Sequence, residues 1–160
     1  MNHLFAVGNR FYICLFLVSP LFFFYQYPSI YIYYYCGVLV NITTNVLLKG
    51  ILRQARPRKI VSSLPFDEYG MPSGHSQLIS FLTVFTSLYY QNQYVTVVLL
   101  LLSIYTISER IVNQYHTVLQ TIIGSGIGGF IGYFFYKGMV EKNVGELTTK
   151  TDDNAFILHS

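Results

Sequence analysis

Three long stretches of this chain carry no charged side chain, and they predict its elements. No Asp, Glu, Lys or Arg occurs among the 38 residues between Arg10 and Lys49, the 33 from Ser76 to Ser108, or the 26 from Ile111 to Tyr136. An apolar run of about 18 residues can cross a bilayer as a helix. The first two runs are each long enough for two crossings, and the third for one. A helix on a water-soluble core would carry a polar stripe at helical period, and these runs carry none. Turn-like breaks at Gln26-Tyr27-Pro28 and Gln91-Asn92-Gln93 divide the first two runs. The pattern predicts helices near 7–25, 29–48, 73–90, 94–109 and 115–136, with Pro20 kinking the first. The fold class is all-α: a polytopic membrane helix bundle of about five transmembrane helices. It occupies residues 1–137, and a polar, flexible tail follows at 138–160. The N-terminal apolar stretch has no small-residue cleavage site and reads as a span rather than a signal peptide.

Composition agrees. Apolar residues make up 52% and charged residues 11%, against about 25% charged in a typical soluble domain. A net charge of +3 without a basic, aromatic-interleaved tract excludes nucleic acid as a partner. Cys14 and Cys36 both sit in apolar runs and read as packed thiols, not a disulfide framework.

Counting crossings shows where the polar residues gather. The 49–72 loop and the 109–117 loop fall on one membrane face, shared with the N-terminus, and the C-terminal tail lies opposite. Arg10, Lys49, Arg53, Arg56, Arg58, Lys59 and Arg110 are on that face, as are His75 and His116. Lys137, Lys142 and Lys150 are on the other.

Three segments carry candidate chemistry. They are Lys49 followed by Arg56-Pro57, then Met71-Pro72-Ser73-Gly74-His75-Ser76, then Arg110 followed by His116 and Gln120. A phosphoryl group in transfer spreads charge over its equatorial oxygens and needs fixed donors around it. Lys49, Arg56 and Arg110 supply cationic donors. Pro72 fits the first turn of a helix. The amides of Ser73, Gly74 and His75 then face an anion at that helix N-terminus, Ser73 adds a hydroxyl donor, and Gly74 allows close approach. No Cys, His, Asp or Glu cluster has metal-ligand spacing, so neither a metal nor another cofactor is expected.

The order and spacing of the three segments resemble the tripartite signature of the type-2 phosphatidic acid phosphatase superfamily, the lipid phosphate phosphatases: Lys-x6-Arg-Pro, Pro-Ser-Gly-His and Ser-Arg-x5-His-x3-Asp. The resemblance covers about residues 45–125. It implies that His116 is the nucleophile forming a phosphohistidine, and that His75 protonates the leaving oxygen. His suits both roles because it titrates near neutral pH. Two positions depart from the pattern. Gln120 stands where the family has Asp, one helical turn beyond His116, where its oxygen can accept from the imidazole. Gln120 and the Met71–Gln77 stretch make the chain most similar to the dolichyl diphosphate phosphatase branch. Glu109 stands where the family has Ser, and is expected to rotate outward.

Other polar features read as structural. Arg58 and Lys59 suit a positive-inside loop or lipid headgroup contacts. Asn41, Thr43, Thr44 and Asn45 suit interhelical hydrogen bonds, and the Asn41 sequon lies mid-span. Gly124-Ser-Gly126-Ile-Gly-Gly129 matches a dinucleotide fingerprint in letters only, because no strand precedes it. Gly124, Gly128 and Gly132 instead form a small-residue stripe. It packs helix five against its own bundle, the first choice, or against a second copy as a homo-oligomer.

The expected function is hydrolysis of a lipid diphosphate, of polyisoprenyl (dolichyl) type, with the bilayer and the lipid as partners. The alternatives are a broad phosphatase of phosphatidate, lysophosphatidate or sphingoid phosphate, or a non-catalytic membrane scaffold or lipid-binding protein. The expected location is the endoplasmic reticulum or another internal membrane in a eukaryotic or viral setting, and the plasma membrane in a bacterial one. The raw count of seven basic residues against three places the site in the cytoplasm, but without Lys49, Arg56 and Arg110 it is four against three and decides nothing; the resemblance implies a lumenal, periplasmic or external site.

Overall fold

A computed structural model of the chain describes residues 28–58 and 68–157, with side chains over 30–58 and 68–142. Four helices form: α1 (Pro28–Leu52), α2 (Gly74–Tyr90), α3 (Gln93–Val112) and α4 (Val118–Ile157). They match the last four predicted helices. The first prediction, near 7–25, lies outside the described residues. The described residues contain no strand, only an isolated bridge between Ala55 and Tyr69.

Three segments are long and apolar enough to cross a membrane: Ile30–Leu52, Gln93–Val112 and Val118–Lys142. The remaining helix, α2, has 17 residues and spans about 25 Å at helical rise. It is the centre of the bundle, contacting all three other helices, so protein rather than lipid covers most of its surface. The outer faces of α1, α3 and α4 expose Leu39, Leu47, Leu101, Ile104, Phe130 and Phe134, as lipid-facing surfaces do. α4 does not end at 137, where the polar tail was expected to begin, but continues as helix to Ile157.

Local chemistry sets the turns. Gln91 takes a left-handed φ of 48° and closes α2, its N–H donating to Ser87 O. Asn92 then caps α3, its Oδ1 accepting from the Tyr94 and Val95 amides at 2.9 and 3.3 Å.

Glycines bring α4 against α2. A Cβ on Gly124 would lie 2.6 Å from Ser73 O, one on Gly128 1.8 Å from Gln77 O, and one on Gly132 2.8 Å from Phe81 O. Every fourth residue of α4 thus meets every fourth residue of α2, backbone to backbone. The stripe packs within the bundle, so a second copy would have to use another face. Farther along, Tyr34 of α1 packs on Phe81 and Phe85 with ring centroids 5.5 and 5.7 Å apart. Gly37 makes room for the Phe81 ring, which a Cβ would approach to 2.6 Å.

Polar side chains join α1 to α2 inside the bundle. Gln77 Nε2 donates to Asn41 O at 2.9 Å and Asn41 Oδ1 at 2.6 Å. Asn45 Nδ2 donates to Gln77 Oε1 at 2.8 Å and Pro72 O at 3.2 Å. Asn41 and Asn45 are therefore the interhelical hydrogen-bonding groups expected of them, while Thr43 is exposed.

The stripe yields a stability prediction. Gly128→Ala forces α4 away from the Gln77 carbonyl and costs about 3 kcal/mol. Gly126→Ala, whose Cβ would meet nothing within 4 Å, is neutral or stabilising by about 0.5 kcal/mol through helix propensity. Thermal unfolding in detergent separates the two; equal midpoints would contradict this packing.

Candidate active site

The ends of all four helices meet at one end of the bundle. Lys49 lies in the last turn of α1, Arg56 in the segment after it, Ser73, Gly74 and His75 at the start of α2, Arg110 in the last turn of α3, and Gln120 in the first turn of α4. His116 sits in the α3–α4 connection. The sequence-predicted residues from 49 to 120 are thus brought together, and the two loops share one face as expected.

Backbone bonds fix the frame. The carbonyl of Arg110 accepts from both Tyr115 N (3.0 Å) and His116 N (3.2 Å), which hangs the histidine from the end of α3. Gln114 allows that reversal with a left-handed φ of 58°. Ser73 N donates to Gln120 O at 3.1 Å, and Gly70 N to Gln54 O at 2.7 Å. Arg58 N donates to Gln114 O at 3.1 Å.

Ser73 is the N-cap of α2. Pro72 therefore stands before the helix, not in its first turn, and the Met71-Pro72 peptide is cis. The Ser73 amide is spent on Gln120 O, so Gly74 and His75 supply the first-turn amides of α2. Ser73 Oγ accepts from Ser76 Oγ at 3.0 Å and Ser76 N at 3.5 Å. With both lone pairs used, its proton is the hydroxyl's remaining capacity, a donor as the sequence suggested.

His116 is buried, 3% exposed, and its two nitrogens have opposite surroundings. Nδ1 lies 2.9 Å from Gly70 O and 3.3 Å from Gln120 Oε1, both acceptors. Nε2 lies 3.3 Å from Arg56 Nη1, which can only donate. The proton therefore sits on Nδ1, and Nε2 keeps its lone pair. Burial, then the Arg56 and Lys49 cations, lower His116 from the ordinary 6.5 to about 3, against the opposing hydrogen bonds from Gln120 and Gly70. Arg56 is held in turn by Nε donating to Tyr69 O at 3.2 Å.

The other cations converge here. Lys49 and Arg110 are buried, 6% and 7% exposed. Arg110, His116, Arg56 and Lys49 all lie within electrostatic reach of the half-buried His75 ring. The Arg110 guanidinium carbon sits 5.3 Å from the Tyr115 ring centroid. Glu109 does not rotate outward. Its Oε2 lies 2.8 Å from Arg110 Nε, and its Oε1 accepts from Asn113 Nδ2 at 3.0 Å. The carboxylate turns inward because Asn113, one turn on, hydrogen-bonds it there.

Several contributors escaped the motif. Gly70 supplies the closest partner of Nδ1, ahead of Gln120. It must be glycine because a Cβ there would lie 2.6 Å from both Gln120 amide atoms. Its place one residue before Met71-Pro72-Ser73 was the available signal. Tyr69 acts through its carbonyl, which leaves no mark on residue type.

Among the described residues, no three His, Cys, Asp or Glu side chains group as a metal site. The constellation is a set of cations and helix-terminal amides around one neutral imidazole lone pair.

Comparisons with known proteins agree with this chemistry. The chain is 31% identical over 122 residues to a dolichyldiphosphatase of Saccharomyces cerevisiae, covering 66% of this chain and 51% of that protein. It is 31% identical over 118 residues to dolichyldiphosphatase 1 of Dictyostelium discoideum, covering 67% and 51%. It is 32% identical over 108 residues to the chloroplastic lipid phosphate phosphatase epsilon 1 of Arabidopsis thaliana, covering 62% and 37%. The chain spans about half the length of the first two of these relatives, or less for the third. No solved structure matches it significantly. The PAP2 superfamily model matches residues 29–143, which hold every residue of the constellation, and the chain belongs to that superfamily.

Proposed function

We propose that this protein is a membrane phosphatase that hydrolyses a lipid diphosphate of polyisoprenyl type through a phosphohistidine on His116. The observation that carries the proposal is the placement of the two His116 ring nitrogens, one against acceptors and the other against a cation. The Nε2 lone pair faces the cations, and the Nδ1–H is held on the Gly70 carbonyl.

The terminal phosphoryl group binds among Lys49, Arg56, Arg110, the Ser73 hydroxyl and the first amides of α2. Arg56 transfers its hydrogen bond from Nε2 to a phosphoryl oxygen. Nε2 then attacks phosphorus, the P–O bond to the lipid monophosphate breaks, and His75 gives its proton to the leaving oxygen. The incoming phosphate offsets the cations that surround His75. Gly70 O and Gln120 Oε1 stabilise the charge that develops on the phosphorylated ring. Water then attacks phosphorus, the N–P bond breaks, and His75 accepts the proton. The products are inorganic phosphate and the lipid monophosphate.

The dolichyldiphosphatases among the relatives support the diphosphate substrate, and the same likeness supports an internal membrane such as the endoplasmic reticulum. The Arabidopsis lipid phosphate phosphatase supports the second reading, a broader phosphatase of lipid monophosphates.

Two outcomes are expected. Purified protein in detergent with EDTA releases phosphate from dolichyl diphosphate faster than from phosphatidate or sphingosine phosphate. His116→Ala loses at least about 10³-fold, as removal of a covalent nucleophile does. Release from no lipid would turn the argument to the scaffold alternative, and a preference for phosphatidate to the second reading. The other outcome concerns pH. The folded state lowers the His116 pKa, so below 6.5 the unfolded chain takes up protons that the folded chain refuses. The His116 contribution to stability is therefore complete above 6.5 and is lost as pH falls from there towards about 3. Melting curves of wild type and His116→Asn converge on acidification; a constant difference would contradict this.

A further inference from the structure

The Gln120 side chain is fully buried, and both edges of its amide are engaged. On the oxygen edge, Oε1 accepts from Thr117 N at 3.1 Å and lies 3.3 Å from His116 Nδ1. On the nitrogen edge, Nε2 donates to Ala55 O at 3.0 Å and Gln54 Oε1 at 2.9 Å. The orientation is not arbitrary. A backbone N–H can only donate and a backbone carbonyl can only accept, so Thr117 fixes the oxygen and Ala55 the nitrogen.

We propose that Gln54 and Gln120 form a positioning pair that ties the Arg56 segment to the His116 imidazole, and that this site requires an amide, not an acid, at position 120. The proposal rests on the phosphatase reading above. Neither residue touches the reacting atoms. Gln120 acts through His116, and Gln54 acts through Gln120.

The link to Arg56 is short. Ala55 immediately precedes it and bridges to Tyr69, whose carbonyl holds Arg56 Nε at 3.2 Å. Gly70 N is bonded to Gln54 O at 2.7 Å, and Gly70 O holds His116 Nδ1 at 2.9 Å. Gln120 thus closes a ring of contacts running through 54–56, 69–70 and 116. An acid breaks it. Glutamate at 120 is isosteric, but it sets an oxygen against the Ala55 carbonyl with no proton between them. Gln54 can turn its own amide to donate, whereas Ala55 cannot. The Ala55 carbonyl, part-buried in this contact, then loses its donor and faces a carboxylate oxygen that pushes it away, and Arg56 moves with it. Aspartate is one methylene too short to span both edges. The amide also explains the bare backbone at Gly70, since no Cβ fits beside it.

The test compares Gln120→Glu, Gln54→Ala and Gln54→Glu in the full chain, purified in detergent. One measurement is kcat and KM for phosphate release from dolichyl diphosphate. The other is the concentration of inorganic phosphate that protects against thermal unfolding. Gln120→Glu lowers kcat by about tenfold or more, the scale of a small misplacement of reacting groups. Gln54→Ala raises KM and the protective phosphate concentration several-fold, with a smaller change in kcat. Gln54→Glu, which keeps an acceptor oxygen for Gln120 Nε2, recovers most of what Gln54→Ala loses. Gln120→Glu as fast as wild type would overturn the proposal, because an acid would then serve as well. Gln54→Glu as impaired as Gln54→Ala would overturn it too, because the side chain would then matter only for its bulk. If wild type releases no phosphate from any lipid, the phosphatase reading falls, and the phosphate-protection series still decides whether the pair positions Arg56.

Discussion

The close approach of α4 to the N-terminal half of α2 is the constraint on which the site depends. The glycines at 124, 128 and 132 let the two backbones meet without intervening side chains. Only at that separation does the Ser73 amide reach the Gln120 carbonyl, 3.1 Å away. That bond places the cap of α2 beside the first turn of α4, and His116 lies just before that turn. A larger residue at 124 would press on the Ser73 carbonyl and part the Ser73–His75 turn from the imidazole. A feature that looks like ordinary membrane-helix packing therefore sets the distance between the Ser73 turn and His116.

A second frame serves α1. In an apolar bundle, a buried amide without a partner is expensive, so amides are matched to one another. Asn41, Asn45 and Gln77 do this, and Asn45 also reaches the Pro72 carbonyl. α1 is thereby pinned to the segment just before the α2 cap, and Lys49 follows one turn beyond Asn45. The position of Lys49 is thus referred to the same turn that Ser73 caps. The long apolar helix behaves as a fixed arm rather than a sliding one.

Much of this was legible from the chain alone. The lengths of the uncharged runs placed four helices with their ends to within a few residues, except the C-terminal end of α4, because a bilayer demands length and apolarity together. The cations and histidines could be read because each is a letter at a helix end. The layer behind them could not. The groups that hold His116 and Arg56 are the carbonyls of Gly70 and Tyr69, and every residue type has a carbonyl. Gln54 was invisible for another reason. It lies in a basic loop where a polar residue is unremarkable, and only the fold shows that it faces Gln120 across 66 positions. Pro72 was placed inside the helix because proline favours a first turn, but Ser73 makes the better cap and claims the boundary.

The misjudged residue, Glu109, is the more instructive. An acid beside an anion site opposes binding, so the sequence argument turned it away from the cluster. The structure sets it 2.8 Å from Arg110 Nε. Neither atom of that pair makes a well-aligned hydrogen bond, so the contact is chiefly coulombic. Lys49, Arg56 and Arg110 crowd one end of the bundle, and their mutual repulsion grows as water is excluded. The Glu109 side chain relieves part of that repulsion, and Asn113 keeps it in place. Among these four side chains an excess of two cations remains rather than three. Serine at this position, as in the family pattern, would leave the full charge on Arg110. The Arg110 guanidinium is held as well by the Tyr115 ring, whose centroid lies 5.3 Å from its carbon.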